Sequence, residues 1–169
     1  MSEQMSEPKW LTLARAEIGT LETPGPKSNP KVLAFFKDVG CSWVKGDDTA
    51  WCGAYLGAIL KRSGIEPLPP SKVLGARNWE RWGERLEQPL LGCIGVKRRQ
   101  GGEAWQGHVG LVVAANQTTV WMLGGNQSDS VSIAPFSRWQ FTAFVWPEGQ
   151  PKTDARLPSN APGKAGSEA

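Results

Sequence analysis

Asp47-Asp48-Thr49-Ala50-Trp51-Cys52-Gly53-Ala54-Tyr55-Leu56-Gly57-Ala58-Ile59-Leu60 is the stretch on which the fold turns. Asp47, Asp48 and Thr49 are residue types that cap helices, and the apolar run behind them reads as a buried helix. That helix is expected to extend to about Arg62, with Gly64 as its stop. Cys52 falls in its first turn, where unpaired N–H groups and the helix dipole favour a thiolate over a thiol. The sequence holds one histidine, His108, in Gly107-His108-Val109-Gly110-Leu111-Val112-Val113. Any imidazole-assisted chemistry in this chain therefore rests on His108.

Working outward from this helix, the N-terminal half reads as helical. Pro8 to about Gly19 carries an apolar stripe of Trp10, Leu11, Leu13, Ala14 and Ile18. Thr23-Pro24-Gly25-Pro26 is a loop. Asn29-Pro30 is a cap followed by proline at the first helical position, with the helix running to about Val39. Ile65 to Ser71 reads as irregular, and Ala76 to about Gly83 as a short helix with Trp79 and Trp82 on one face. Strand signals then take over at 92–98, 108–115, 118–123, 130–134 and 141–145. Helices first and strands after predict an α+β fold, with N-terminal helices packed on a C-terminal antiparallel sheet of about five strands. The expected divisions are a flexible N-terminus at 1–7, one domain at 8–147, and a disordered tail at 148–169, rich in Pro, Ala, Gly and Ser.

The totals exclude several classes. At 169 residues and 40% hydrophobic content, one folded domain with a real core is expected. No apolar run approaches the roughly 20 residues of a membrane helix, so membrane insertion is not expected. Met1 to Pro8 lacks the basic flank and apolar stretch of a signal peptide, so synthesis in the cytoplasm is expected. The net charge of +3 is mildly basic, with Lys97-Arg98-Arg99 as its densest point. A solvated loop between strands is the plainest reading of that triplet; a patch attracted to an anionic polymer is the other. No helix-turn-helix, zinc knuckle or RNP-like pattern accompanies it, so nucleic acid is not an expected partner. Cys41, Cys52 and Cys93 show no CxxC spacing, which argues against a disulfide framework or a zinc cage. Cys41 and Cys93 read as small buried hydrophobes. Most of the nine tryptophans read as core, with one or two available to line a groove.

A cysteine nucleophile needs a depressed pKa, a base, and a group that orients the base. Cys52 opens a helix, His108 opens a strand, and Asn126 ends the next strand in Leu123-Gly124-Gly125-Asn126-Gln127-Ser128. Antiparallel pairing of those strands would bring His108 and Asn126 to one sheet edge. Taken singly, each has a plainer reading: a structural cysteine, a turn histidine, a turn asparagine.

The three blocks together resemble a branch of the papain-like CHAP and NlpC-type cysteine amidases and peptidases, over roughly Trp10 to Trp146. The resemblance implies a papain-like fold and hydrolysis of an amide bond in bacterial peptidoglycan, without metal or organic cofactor. Carried over by position, Cys52 resembles the nucleophile, His108 the general base and Asn126 the third, polar member. Gln127 and Asp129 stand beside Asn126 as alternatives for that role. Asp48 lies nearest the position of a side-chain oxyanion donor, although an ionised aspartate cannot donate, and the Cys52 backbone N–H is the stronger candidate. Trp51 and Gln127 are further oxyanion or substrate-binding candidates. One departure is Leu91-Gly92-Cys93-Ile94, where Cys93 replaces a common acidic residue. The expected setting is a monomer acting at the cell wall, released by a holin as a phage endolysin or delivered by a secretion machine. A non-catalytic wall-binding or phage structural module, and a cysteine peptidase with a non-wall substrate, are the alternatives.

Overall fold

A computed structural model describes residues 6–23, 28–45, 50–99, 101–104 and 106–163. The chain is α+β, with helices in the N-terminal half and a six-stranded antiparallel sheet in the C-terminal half. The helices are α1 (Lys9–Arg15), α2 (Pro30–Asp38), α3 (Cys52–Arg62) and α4 (Pro70–Val73), followed by a 3₁₀ helix over Ala76–Arg81. The strands are β1 (Glu84–Leu86), β2 (Ile94–Arg98), β3 (Gly107–Ala115), β4 (Thr119–Gly124), β5 (Ser132–Ser137) and β6 (Phe141–Trp146). None of the described helices is long and apolar enough to cross a membrane.

Helix α3 is the central pillar because it carries no charged residue until its last turn, and residues 52–60 are all buried. Tyr55 on α3 donates its hydroxyl to the Ala14 carbonyl of α1 at 2.8 Å and meets Phe35 of α2 edge-on at 5.1 Å. Gly53 and Gly57, four residues apart, form a flat stripe on one side. A Cβ on Gly53 would fall onto the Val73 carbonyl oxygen, and one on Gly57 would sit 2.7 Å from Val39 and 2.8 Å from Val73. Only glycine lets α4 lie this close to the first turn of α3. Helix α2 begins as its sequence dictates, with the Asn29 side chain accepting from the Lys31 N–H at 2.8 Å and Pro30 behind it. Helix α1 ends at Arg15, sooner than its stripe predicts, because the N–H groups of Glu17 and Ile18 bond back three residues, not four.

The sheet order is β1-β6-β2-β3-β4-β5. Strands β5 and β6 are therefore four positions apart, roughly 19 Å across a flat sheet. Yet only Arg138–Gln140 joins them, and the four peptide steps from Ser137 to Phe141 reach at most about 14 Å. The sheet must curl, and bulges at Val96/Lys97 and Val112/Ala114 let it. The curl brings Phe136 of β5 to within 5.4 Å of the His108 ring of β3. On the same face Gly95 leaves room: a Cβ there would meet Met122 and Phe141 at 3.0 Å.

Several expectations are amended. Strand β1 adds a sixth strand to the five expected, pairing Glu84–Leu86 with β6. Part of the stretch expected to be irregular forms α4. Of the N-terminal segment 1–7, residues 1–5 lie outside the described residues, while Glu7 is ion-paired with Arg15 at 3.0 Å. The tail expected to be disordered is laid on the domain as far as Gly163. Ala115 donates to the Pro158 carbonyl at 2.9 Å, Thr153 to that of Ser6 at 2.7 Å, and Leu157 and Ala161 pack against the core. A few apolar contacts and backbone bonds suffice to hold it against an existing surface. Residues 164–169 lie outside the described residues.

Candidate active site

Cys52 is the first residue of α3 and is 4% exposed. The residues expected to cap this helix, Asp47, Asp48 and Thr49, fall outside the described part of the chain. The residue at the N-cap is Trp51, which makes no side-chain capping bond. Within this first turn the Gly53 N–H bonds to the Cys52 sulfur. Burial, the largest single influence, pushes the Cys52 thiol up. The hydrogen bond and charge of His108, together with hydrogen bonds from the Val109 and Gly53 N–H groups, outweigh burial and hold the pKa below its ordinary value.

His108 lies at the start of β3 and is fully buried. Its Nε2 is 2.9 Å from Oε1 of Gln127. The orientation of that amide is fixed by its other end, because Gln127 Nε2 donates to the carbonyls of Ser132 at 2.7 Å and Met122 at 3.2 Å. Two carbonyls accept only from the NH₂ group, so Oε1 must face His108, and His108 Nε2 must carry the proton. Nδ1 is then the basic nitrogen, available to exchange a proton with Cys52.

The orienting group is thus Gln127. Asn126, carried over as the third member, makes no such contact: it is 1% exposed and its Oδ1 has no hydrogen-bond partner among the described residues. The turn explains the change. Asn126, Ser128 and Asp129 all have positive φ, at 61°, 52° and 59°. This left-handed path, closed by the Ser130 hydroxyl on the Gln127 carbonyl at 2.8 Å, turns Gln127 inward. Gly124 is needed beneath it, since a Cβ there would stand 2.5 Å from Gln127 Oε1 and 3.5 Å from His108 Nε2. Asp129 is exposed, and its carbonyl accepts from the Glu22 N–H at 2.8 Å.

Trp51 is corrected as well. It is fully buried, stacks on Phe35 at 6.0 Å and donates its indole N–H to Glu22 at 3.0 Å. Its ring is core beneath the site and has no surface to offer a substrate. Asp48 lies outside the described residues. Cys41 and Cys93 are buried thiols, both pushed up by burial, Cys93 to about 12. Among the described residues no group of three His, Cys, Asp or Glu side chains is placed to hold a metal.

Sequence reasoning missed Lys97. The strand over 92–98 reaches it, but the basic triplet reads as solvated, and Lys97 instead stands on β2 directly opposite His108, 1% exposed. Its ammonium donates to the Arg98 carbonyl at 2.8 Å and lies 5.0 Å over the Phe136 ring that also touches His108. Arg98 continues outward over the exposed ring of Trp139, at 5.5 Å. The alternation of a strand running into a basic triplet could have signalled Lys97, because every second residue of β2 must face the same side as Gly95.

The assembled group is a depressed thiol, a buried imidazole of fixed tautomer and an amide that holds it. Such a group can add sulfur to a carbonyl carbon and pass a proton to a leaving amine. No protein-family model matches this chain, and no curated protein matches it either.

Proposed function

We propose that this chain is a cysteine-dependent amide hydrolase whose substrate is bacterial peptidoglycan. The observation that supports the chemistry best is the bond order Cys52–His108–Gln127, with the thiol depressed and the tautomer set. The wall as substrate is supported by the likeness of the Cys, His and Gly-Gly-Asn blocks to peptidoglycan amidases and endopeptidases.

In the first half-reaction the Cys52 thiolate adds to the amide carbonyl carbon, forming a C–S bond and an oxyanion. The Cys52 backbone N–H, in the first turn of α3, would donate to that oxyanion. The His108 imidazolium gives its Nδ1 proton to the amide nitrogen, the C–N bond breaks and the amine leaves. In the second, His108 takes a proton from water, whose oxygen adds to the thioester carbonyl. The C–S bond breaks, releasing the acid and regenerating the thiolate. Gln127 keeps the imidazole in one tautomer and orientation throughout. Release by a holin or by a secretion machine would bring the enzyme to the wall.

A wall-binding module is the second reading, and the exposed rings of Trp43 and Trp139 are what would favour it. Such a module has no use for a depressed, histidine-bonded thiol. Incubation with purified peptidoglycan, followed by mass spectrometry of the soluble products, separates these readings. The expected result is fragments carrying one new amine and one new carboxyl. Tight binding with no fragments, across several wall chemotypes, would support the module. Cleavage of unrelated peptides alone would support a non-wall peptidase.

A further inference from the structure

Segment 70–81 forms one wall beside the Cys52–His108 pair. The Val73 carbonyl abuts Gly53, the neighbour of Cys52. The stem of Arg77 abuts Gly107, the neighbour of His108, so closely that a Cβ there would be 2.6 Å from Arg77 Cδ. On this segment lies a cavity of about 490 Å³ lined by Leu68, Lys72, Arg77, Asn78, Glu80 and Arg81. Its charges are unbalanced. Glu80 is spent on Arg77, at 2.6 Å, and on the Thr142 hydroxyl. Arg77 is held further by the Ala104 carbonyl at 2.7 Å. Lys72 and Arg81 are exposed and have no carboxylate partner among the described residues. Three cations against one carboxylate leave two positive charges in a recess on the segment that packs against Gly53 and Gly107.

We propose that this recess is an anion subsite in which Lys72 and Arg81 hold a carboxylate of the peptide being cut. Arg77, fixed by Glu80 and Ala104, acts as the rigid edge. Asn78 is committed to the Lys72 carbonyl at 3.0 Å, which sets the turn that presents Lys72. The proposal rests on the reading that the substrate is a wall peptide. Its chemistry is narrower: a free carboxylate is bound, and the same peptide with that carboxyl amidated is not.

Two synthetic stem peptides, identical except for amidation of the side carboxyl, test it in two arms. In the first, each is titrated calorimetrically into the Cys52→Ala protein, which leaves the ligand uncut. The expected result is binding roughly tenfold tighter for the free carboxylate, lost in a Lys72→Gln/Arg81→Gln background and weakened by salt. In the second, the same double substitution is made in the active protein. It should raise KM for the carboxylate peptide roughly tenfold, hold kcat within about twofold, and leave the amidated peptide unaffected. Equal binding of the two peptides, or equal loss for both on double substitution, would overturn the subsite. Carboxylate-selective binding without cleavage would leave the subsite standing and count against the hydrolase reading instead.

Discussion

Cys52→Ala is expected to abolish amide hydrolysis, at least about a thousandfold below wild type, while leaving the protein folded. The sulfur is the atom that adds to the carbonyl, and of the three thiols Cys52 is the one bonded to His108. Cys41 and Cys93 are buried elsewhere in the core with thiols pushed up by burial. Alanine conserves the helix, because residue 52 contributes no cap and α3 is held by Tyr55, Leu56, Ile59 and Leu60. Cys52→Ser should be as inactive, since two backbone N–H groups and one imidazole favour ionisation of a thiol but are too weak to ionise a hydroxyl. Rates of fragment release set beside thermal melting curves read both halves of this result. A folded Cys52→Ala protein that still hydrolyses would remove the nucleophile from the mechanism.

The second large effect separates neighbours in sequence. Gln127→Leu should lower kcat by about a hundredfold, because the imidazole loses the acceptor that holds its Nε2 proton and its orientation. The substitution also leaves the Met122 and Ser132 carbonyls without their donor, at a cost of about 1–3 kcal/mol of stability. Asn126→Gly should change kcat by less than about threefold. Glycine accepts the positive φ at this position, and the Asn126 Oδ1 it removes bonds to nothing among the described residues. Steady-state kinetics on one soluble substrate compares the two. The opposite order of effects would return the orienting role to Asn126.

This pair of residues also marks where sequence reading stops. Capping made α2 legible, an apolar run α3 and alternation most strands, because each of these is local information. Cys52 and His108 were legible for a similar reason: a helix start can be read in the sequence, and the sequence has one histidine. The choice between Asn126 and Gln127 depends on a turn in which three residues take positive φ, and adjacent side chains in such a turn point in unrelated directions. The burial of Lys97 went unread because its partner across the sheet, His108, follows only from the β2–β3 register. Trp51 was a candidate for substrate contact, whereas its ring stacks on Phe35, a long-range packing that no local pattern marks. The curl that joins Phe136 to His108 follows from strand order, a non-local property. The packed tail escaped notice because its anchors are mainly backbone carbonyls, which leave no trace in composition.

The depressed thiol at Cys52 is the centre of the mechanism, and limited alkylation with iodoacetamide reads it without assuming a substrate. Its sign is set by the direction of the shift. A thiol whose pKa is lowered stays ionised, and reactive, to a lower pH than an ordinary thiol and loses reactivity as pH falls through that lowered value. Thiols raised by burial react only in the alkaline range. Peptide mapping after brief treatment near neutral pH should therefore find the label on Cys52 ahead of Cys41 and Cys93, with His108→Ala moving the Cys52 rate profile toward higher pH. A Cys52 that reacts no faster than Cys93 near neutral pH, with a profile indifferent to His108→Ala, would contradict the account at its root.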